Sequence, residues 1–134
     1  MIRLLLVASL AVASLSAQAG GVLVLGDSIS AAYGIEKSDG WVALLEEELE
    51  QRCRDFPVIN ASVSGETTAG GNSRLTALLD KHAPQIVVIE LGGNDGLRGL
   101  SPVAMANNLA QMIEKSRAAD ATPVLLGMRI PPNY

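Results

Sequence analysis

This 134-residue chain has one histidine, one cysteine and four aromatic residues, Tyr33, Trp41, Phe56 and Tyr134. A single cysteine, Cys53, cannot close an intrachain disulfide, so an oxidising compartment neither helps nor opposes folding. With so few aromatics, Val, Leu, Ile and Ala must build the core. The chain has no Lys/Arg block and carries a net charge of −4, which argues against nucleic acid and against adsorption to anionic lipid. A small-molecule partner is expected instead. No His/Cys pair or spaced carboxylate cluster supports a metal site. Gly65, Gly70 and Gly71 match neither GxGxxG nor GxxxxGK[ST], so no nucleotide cofactor is expected, and no other cofactor is implied.

The N-terminus reads as a secretory signal over residues 1–19. Arg3 supplies the positive charge, Leu4 to Leu15 the apolar segment, and Ala17-Gln18-Ala19 a small-residue cleavage site. That segment is shorter than the roughly 20 apolar residues of a membrane span, and nothing later in the chain is long enough. A lipid-anchored precursor would carry cysteine just after the cleavage site, but position 20 is Gly. The expected product is exported, periplasmic or secreted, and has no stable membrane span. Residues 20–134 suffice for one domain with a real core and are too few for two.

Four short apolar runs alternate with longer helical patterns: Val22 to Leu25, Val58 to Ala61, Ile86 to Leu91 and Val124 to Met128. Alternation of this kind implies βα units around a parallel sheet, and continuously apolar strands imply a sheet covered on both faces. A first helix is predicted from Gly40 or Trp41 to Arg52, with Trp41, Leu44, Leu45 and Leu49 inward. Cys53 continues that helical spacing and is read as a packing residue without chemistry. Leu75, Leu78, Leu79 and His82 mark a second helix that Pro84 prevents from continuing. A third starts at Ser101 as N-cap with Pro102 at its first position, and turns Met105, Leu109, Met112 and Ile113 inward.

In an open parallel sheet, ligands bind beyond the carboxyl ends of the strands. The loops there are Gly26-Asp27-Ser28, Ser62 to Thr68, Gly92-Gly93-Asn94-Asp95-Gly96, and Arg129 to Tyr134. Taken singly, each has an ordinary explanation. Ser28 can cap a turn, Asp27 can hydrogen-bond within it, Gly65 can supply a positive φ, and Asn94-Asp95-Gly96 can be a plain turn.

Taken together, they resemble the SGNH, or GDSL, hydrolase superfamily, whose blocks are a GDS nucleophile, a later glycine and a GxND asparagine. The wording from Val24 to Ala31, Asn60 to Thr67 and Glu90 to Gly99 is closest to the bacterial periplasmic thioesterase, arylesterase and lysophospholipase branch. The resemblance runs from about Val22 to Tyr134. It implies a three-layer α/β/α sandwich with a parallel, flavodoxin-like sheet, and hydrolysis of a small-molecule acyl ester or thioester through an acyl-serine intermediate. By position it implies Ser28 as nucleophile. The oxyanion hole is then formed by the Ser28 N–H, the Gly65 N–H and the Asn94 side-chain amide, donors fixed where negative charge develops. Ile130 and Pro131 are expected to line the acyl groove.

The family's fourth block, Asp-x-x-His, is absent from this sequence. His82 precedes its strand while Asn94 follows it, and six residues at about 3.3 Å each separate the two ends by roughly 20 Å. A general base must lie within about 3 Å of its proton, so His82 is read as a packing or helix-end residue. Glu66, Glu90 and Asp95 have no partners that would make them a base or metal ligands. The expectation is a C-terminally incomplete domain whose Asp and His were lost or lie beyond Tyr134, and which is nearly inactive alone. The alternatives are a noncatalytic acyl-ligand binding module and a carbohydrate O-acetylesterase.

Overall fold

The computed structural model describes residues 20–52 and 55–128. The signal reading of residues 1–19, the packing role of Cys53, and the groove residues Ile130 and Pro131 fall outside the described residues. The elements alternate as anticipated: β1 Val22–Gly26, α1 Trp41–Arg52, β2 Val58–Asn60, α2 Thr68–His82, β3 Ile86–Glu90, α3 Gly93–Leu97, α4 Pro102–Ala118 and β4 Thr122–Leu125. A single 3₁₀ turn at Lys37–Asp39 leads into α1. Among the described residues, no helix is long and apolar enough to cross a membrane.

The four strands form one sheet in the order β2-β1-β3-β4, and every pairing is parallel. β1 is central and wholly buried. Alternate residues point to opposite faces of a strand, which divides the core in two. Leu23, Leu25, Val87 and Ile89 meet Leu75, Leu79 and Met112 of α2 and α4 on one face. Val22, Val24 and Val88 meet Val42, with Trp41 and Leu49, on the α1 face. The result is the expected three-layer α/β/α sandwich. Each fully buried leucine contributes about 1.5–3 kcal/mol of transfer free energy, so β1 is the mechanical centre on which the loops are mounted.

The helix ends are specified locally. Thr67 caps α2 by accepting the Gly70 N–H at 3.3 Å, and Ala83 closes it in a left-handed conformation, φ 42°, just ahead of Pro84. Ser101 caps α4, with Pro102 following at its start. α1 begins at Trp41, but Val42 is its buried residue, while Leu44 is 54% exposed instead of facing inward. α1 covers only the valine stripe of β1, β2 and β3, and this contact is narrower than the apolar periodicity of the helix.

Two further boundaries differ from expectation. β4 spans Thr122–Leu125 instead of starting at Val124, so Pro123 lies within a strand, opposite Val87. Proline is tolerated there because its position needs no N–H toward β3, and among the described residues no strand pairs with the other side of β4. The Thr122 N–H donates to the Gln85 carbonyl and the Leu126 N–H to the Ile89 carbonyl, leaving the outward-facing position for the residue that has no N–H. The predicted loop at Gly92–Gly96 is instead the short helix α3, entered through Gly92 at φ 120°.

Candidate active site

β1 lies between β2 and β3, so the chain leaves it in one direction for β2 and returns on its other side for β3. This reversal opens a crevice beyond the carboxyl ends of β1 and β3, and the three candidate residues converge there. Ser28 is half-buried in the turn after β1, Gly65 stands in the loop after β2, and Asn94 occupies the first turn of α3 after β3.

The three loops are tied to one another pairwise. The Val63 N–H donates to the Gly26 carbonyl at 3.0 Å, joining the second loop to the first. Asn94 Nδ2 donates to Asp27 Oδ2 at 3.0 Å, joining the third to the first. Arg98 Nη2 donates to the Gly65 carbonyl at 2.8 Å, joining the third to the second. Beneath this triangle, the buried Asp95 carboxylate accepts the Thr68 N–H at 2.9 Å and the Thr68 hydroxyl at 2.6 Å. Asn108 of α4 then donates to Thr68 Oγ1 at 3.1 Å. This clamp fixes the start of α2 against α3.

Asp27 organises the upper layer. Its Oδ1 accepts the Ile29 N–H at 3.0 Å, closing an Asx turn around Ser28, while Oδ2 holds the Asn94 amide. A carboxamide NH₂ has two hydrogens, so Asp27 fixes the amide through one and leaves the other to donate elsewhere. Neither the Ser28 N–H nor the Gly65 N–H is engaged in another hydrogen bond among the described residues. Gly65 reaches this geometry at φ 79°, a left-handed conformation that favours glycine. Ser28, Gly65 and Asn94 thus stand in three loops that these hydrogen bonds tie together.

Glu90 lies beside Gly26 in the β1–β3 register, with its side chain toward the α1 face. Its Oε2 accepts the Ser30 hydroxyl at 2.7 Å and the Asp27 N–H at 3.5 Å. Burial pushes the Glu90 carboxyl above the usual carboxylate range. The Ser30 hydrogen bond opposes that shift, and the charge of Asp27 adds to it. Sequence reading missed this role, although two signals were present: an acid ending a continuously apolar run, and a glycine at its cross-strand position.

Glu66 pairs with Arg74 at 2.6 Å, and Arg74 also donates to the Ala61 carbonyl. His82 ends α2, whose axis carries it about 21 Å from Thr68 at 1.5 Å per residue, away from the crevice. Beside α3, an apolar slot of about 220 Å³ is lined by residues including Leu91, Gly92, Met105, Leu109 and Met128. A larger hollow of about 500 Å³ lies between α1 and β2, behind the Ser28 turn, and contains none of Ser28, Gly65 and Asn94.

The model of the GDSL-like lipase/acylhydrolase family matches residues 24–134, which include all three loops. The chain belongs to this family. It is 54% identical to the esterase TesA of Pseudomonas aeruginosa, over 98% of this chain and 66% of that protein. It is 44% identical to the thioesterase 1/protease 1/lysophospholipase L1 of Escherichia coli, over 89% of this chain and 56% of that one. The crystal structure of TesA superposes with a TM-score of 0.83 at 56% identity, covering 85% of this chain and 63% of the other. The psychrotrophic esterase EstA of a Pseudoalteromonas species gives 0.80 at 48% identity, covering 86% and 63%. The chain thus spans between 56% and 66% of the length of these esterases and thioesterases.

Proposed function

We propose that this chain carries the nucleophile and oxyanion hole of an acyl ester or thioester hydrolase, in a protein whose Arg3-to-Ala19 segment supports export. The observation that carries this reading is the Asn94-to-Asp27 hydrogen bond, which holds an uncharged amide donor at the turn that presents Ser28. Ser28 Oγ attacks the carbonyl carbon, and the carbonyl oxygen takes up the electron pair. The Ser28 N–H, the Gly65 N–H and Asn94 Nδ2 receive the resulting charge. Such donors lower the barrier by about 2.7–4 kcal/mol each. Collapse of the intermediate expels the alcohol or thiol and leaves an acyl-Ser28 ester, which water then hydrolyses. The apolar slot beside Gly92 receives the acyl chain.

The proton of Ser28 needs an acceptor, and His82 is at the wrong end of α2 to be one. The family's Asp-x-x-His block implies a histidine base that these 134 residues do not contain, and the chain turns over slowly by itself. Loss of the base from a serine triad costs about 10⁴ to 10⁶ in kcat. The test is chemical rescue: hydrolysis of p-nitrophenyl butyrate by the chain and by its Ser28→Ala variant, each across a range of added imidazole. The expected result is a chain-dependent rate that grows with imidazole and vanishes in Ser28→Ala. Equal rates for the two proteins at every imidazole concentration would remove Ser28 as nucleophile. Fast Ser28-dependent turnover without imidazole would remove the claim of a missing base.

A further inference from the structure

Glu90 is a buried acid, 6% exposed, that takes no part in the proposed chemistry, yet it contacts the turn that presents Ser28 from beneath. Its Oε2 is held by Ser30, whereas Oε1 is buried with no hydrogen-bond partner among the described residues. Ser30 is 1% exposed and is itself fixed from two other sides. Trp41 Nε1 donates to Ser30 Oγ at 3.2 Å, and Asn60 Nδ2 donates to the Ser30 carbonyl at 2.8 Å. The space is closely fitted: a Cβ on Gly26 would stand 2.5 Å from Ser30 Oγ and 3.0 Å from Glu90 Oε2. One carboxyl group thus connects β3, the Ser28 turn and the first residue of α1.

We propose that Glu90 is a positioning residue that latches the Gly26–Ser30 turn through the Ser30 hydroxyl, so that the setting of Ser28 depends on the Glu90 proton. The inference rests on the reading of Ser28 as nucleophile. A neutral carboxylic acid tolerates a buried oxygen without a partner far better than a carboxylate does. Around it, the end of β1 presents the charged Asp27, while Ser30, the Asn60 end of β2 and Trp41 of α1 are neutral. Ionisation therefore places a second negative charge beside Asp27, which the Ser30 hydroxyl and the Asp27 N–H offset only in part, and drives the turn that carries both residues to shift. Burial raises the folded-state pKa, as Asp27 also does. The stabilisation of the fold by neutral Glu90 is therefore full below the unfolded glutamate value of about 4.3 and is lost as pH rises through the higher folded value.

Trp41 is the only tryptophan in the chain and is bonded to Ser30, so its fluorescence reports on the latch without requiring turnover. The experiment titrates Trp41 emission of the 134-residue chain between pH 4 and 9. The expected result is one transition with its midpoint above the ordinary glutamate range, absent from Glu90→Gln, which keeps the neutral shape. Asp27→Asn, which removes the neighbouring charge, is expected to shift that midpoint to lower pH. A transition that survives in Glu90→Gln, or a midpoint that Asp27→Asn leaves in place, would overturn the latch. Because imidazole rescue is scored separately, a flat titration with intact rescue rejects the latch alone. A Glu90-dependent transition without rescue rejects the nucleophile alone.

Discussion

Replacing Asp27 by asparagine changes one oxygen to an NH₂ group with almost no change in shape, and the structure sets what that costs. Both carboxylate oxygens are in use, Oδ1 by the Ile29 N–H and Oδ2 by Asn94 Nδ2, on a residue only 3% exposed. Asparagine offers one acceptor to these two donors. Whichever way the new amide turns, one hydrogen bond is lost and two donors face each other in a buried place. A hydrogen bond to a charged group is worth about 1.5–3 kcal/mol, and a stranded buried donor costs about 1–3 kcal/mol. Relief of the repulsion between Asp27 and Glu90 offsets part of this, leaving a net loss of about 2 kcal/mol. With a urea m-value of about 1–2 kcal/mol/M for a domain of this size, the unfolding midpoint followed by Trp41 fluorescence at pH 7 should fall by about 1–2 M. The Asn94 side-chain amide resonances should also move. The loss should shrink as pH rises, because the wild type then carries the growing repulsion that the variant lacks. An unchanged midpoint together with unchanged Asn94 amide resonances would refute the assignment of Asp27 as the organiser of the turn.

Two further outcomes follow from close contacts. Gly26→Ala drives a methyl group into Ser30 and should cost about 1–3 kcal/mol by overpacking, read as a lowered melting midpoint; an unchanged midpoint would refute the close fit of Gly26 against Ser30. Thr68→Val preserves shape but leaves Asp95 Oδ1 and Asn108 Nδ2 without the hydroxyl they share, which should cost about 1–3 kcal/mol in urea unfolding. A neutral result there would show that α2 and α3 do not depend on the clamp.

Much of this architecture was readable along the chain. The four apolar runs became the four strands, and Thr67, Pro84, Ser101 and Pro102 stand at helix ends where local sterics and capping act regardless of the rest of the fold. Errors arose where tertiary context overrode the local signal. Leu44 belonged to the apolar stripe of α1 but met no sheet. Pro123 lay outside the predicted run from Val124, yet the register of β4 takes it in with that position turned away from β3. Asn94 was read in a loop, yet it lies on a short helix whose entry requires the positive φ of Gly92.

The site divides along the same line. Residue identities and order determined the family, the candidate nucleophile and donors, and the placement of His82 away from them, because strand direction alone separates the two ends of β3. The partners that hold those residues could not be read this way, because they are distant in sequence: Asp27 with Asn94, Thr68 with Asp95, Gly65 with Arg98, and Ser30 with Glu90. A hydrogen bond forms where two side chains arrive at about 3 Å with suitable angles, and periodicity says nothing about such meetings between loops. Sheet order β2-β1-β3-β4 decided which loops meet, and the absence of a side chain at Gly26 decided that a buried carboxyl group lies beneath the serine turn.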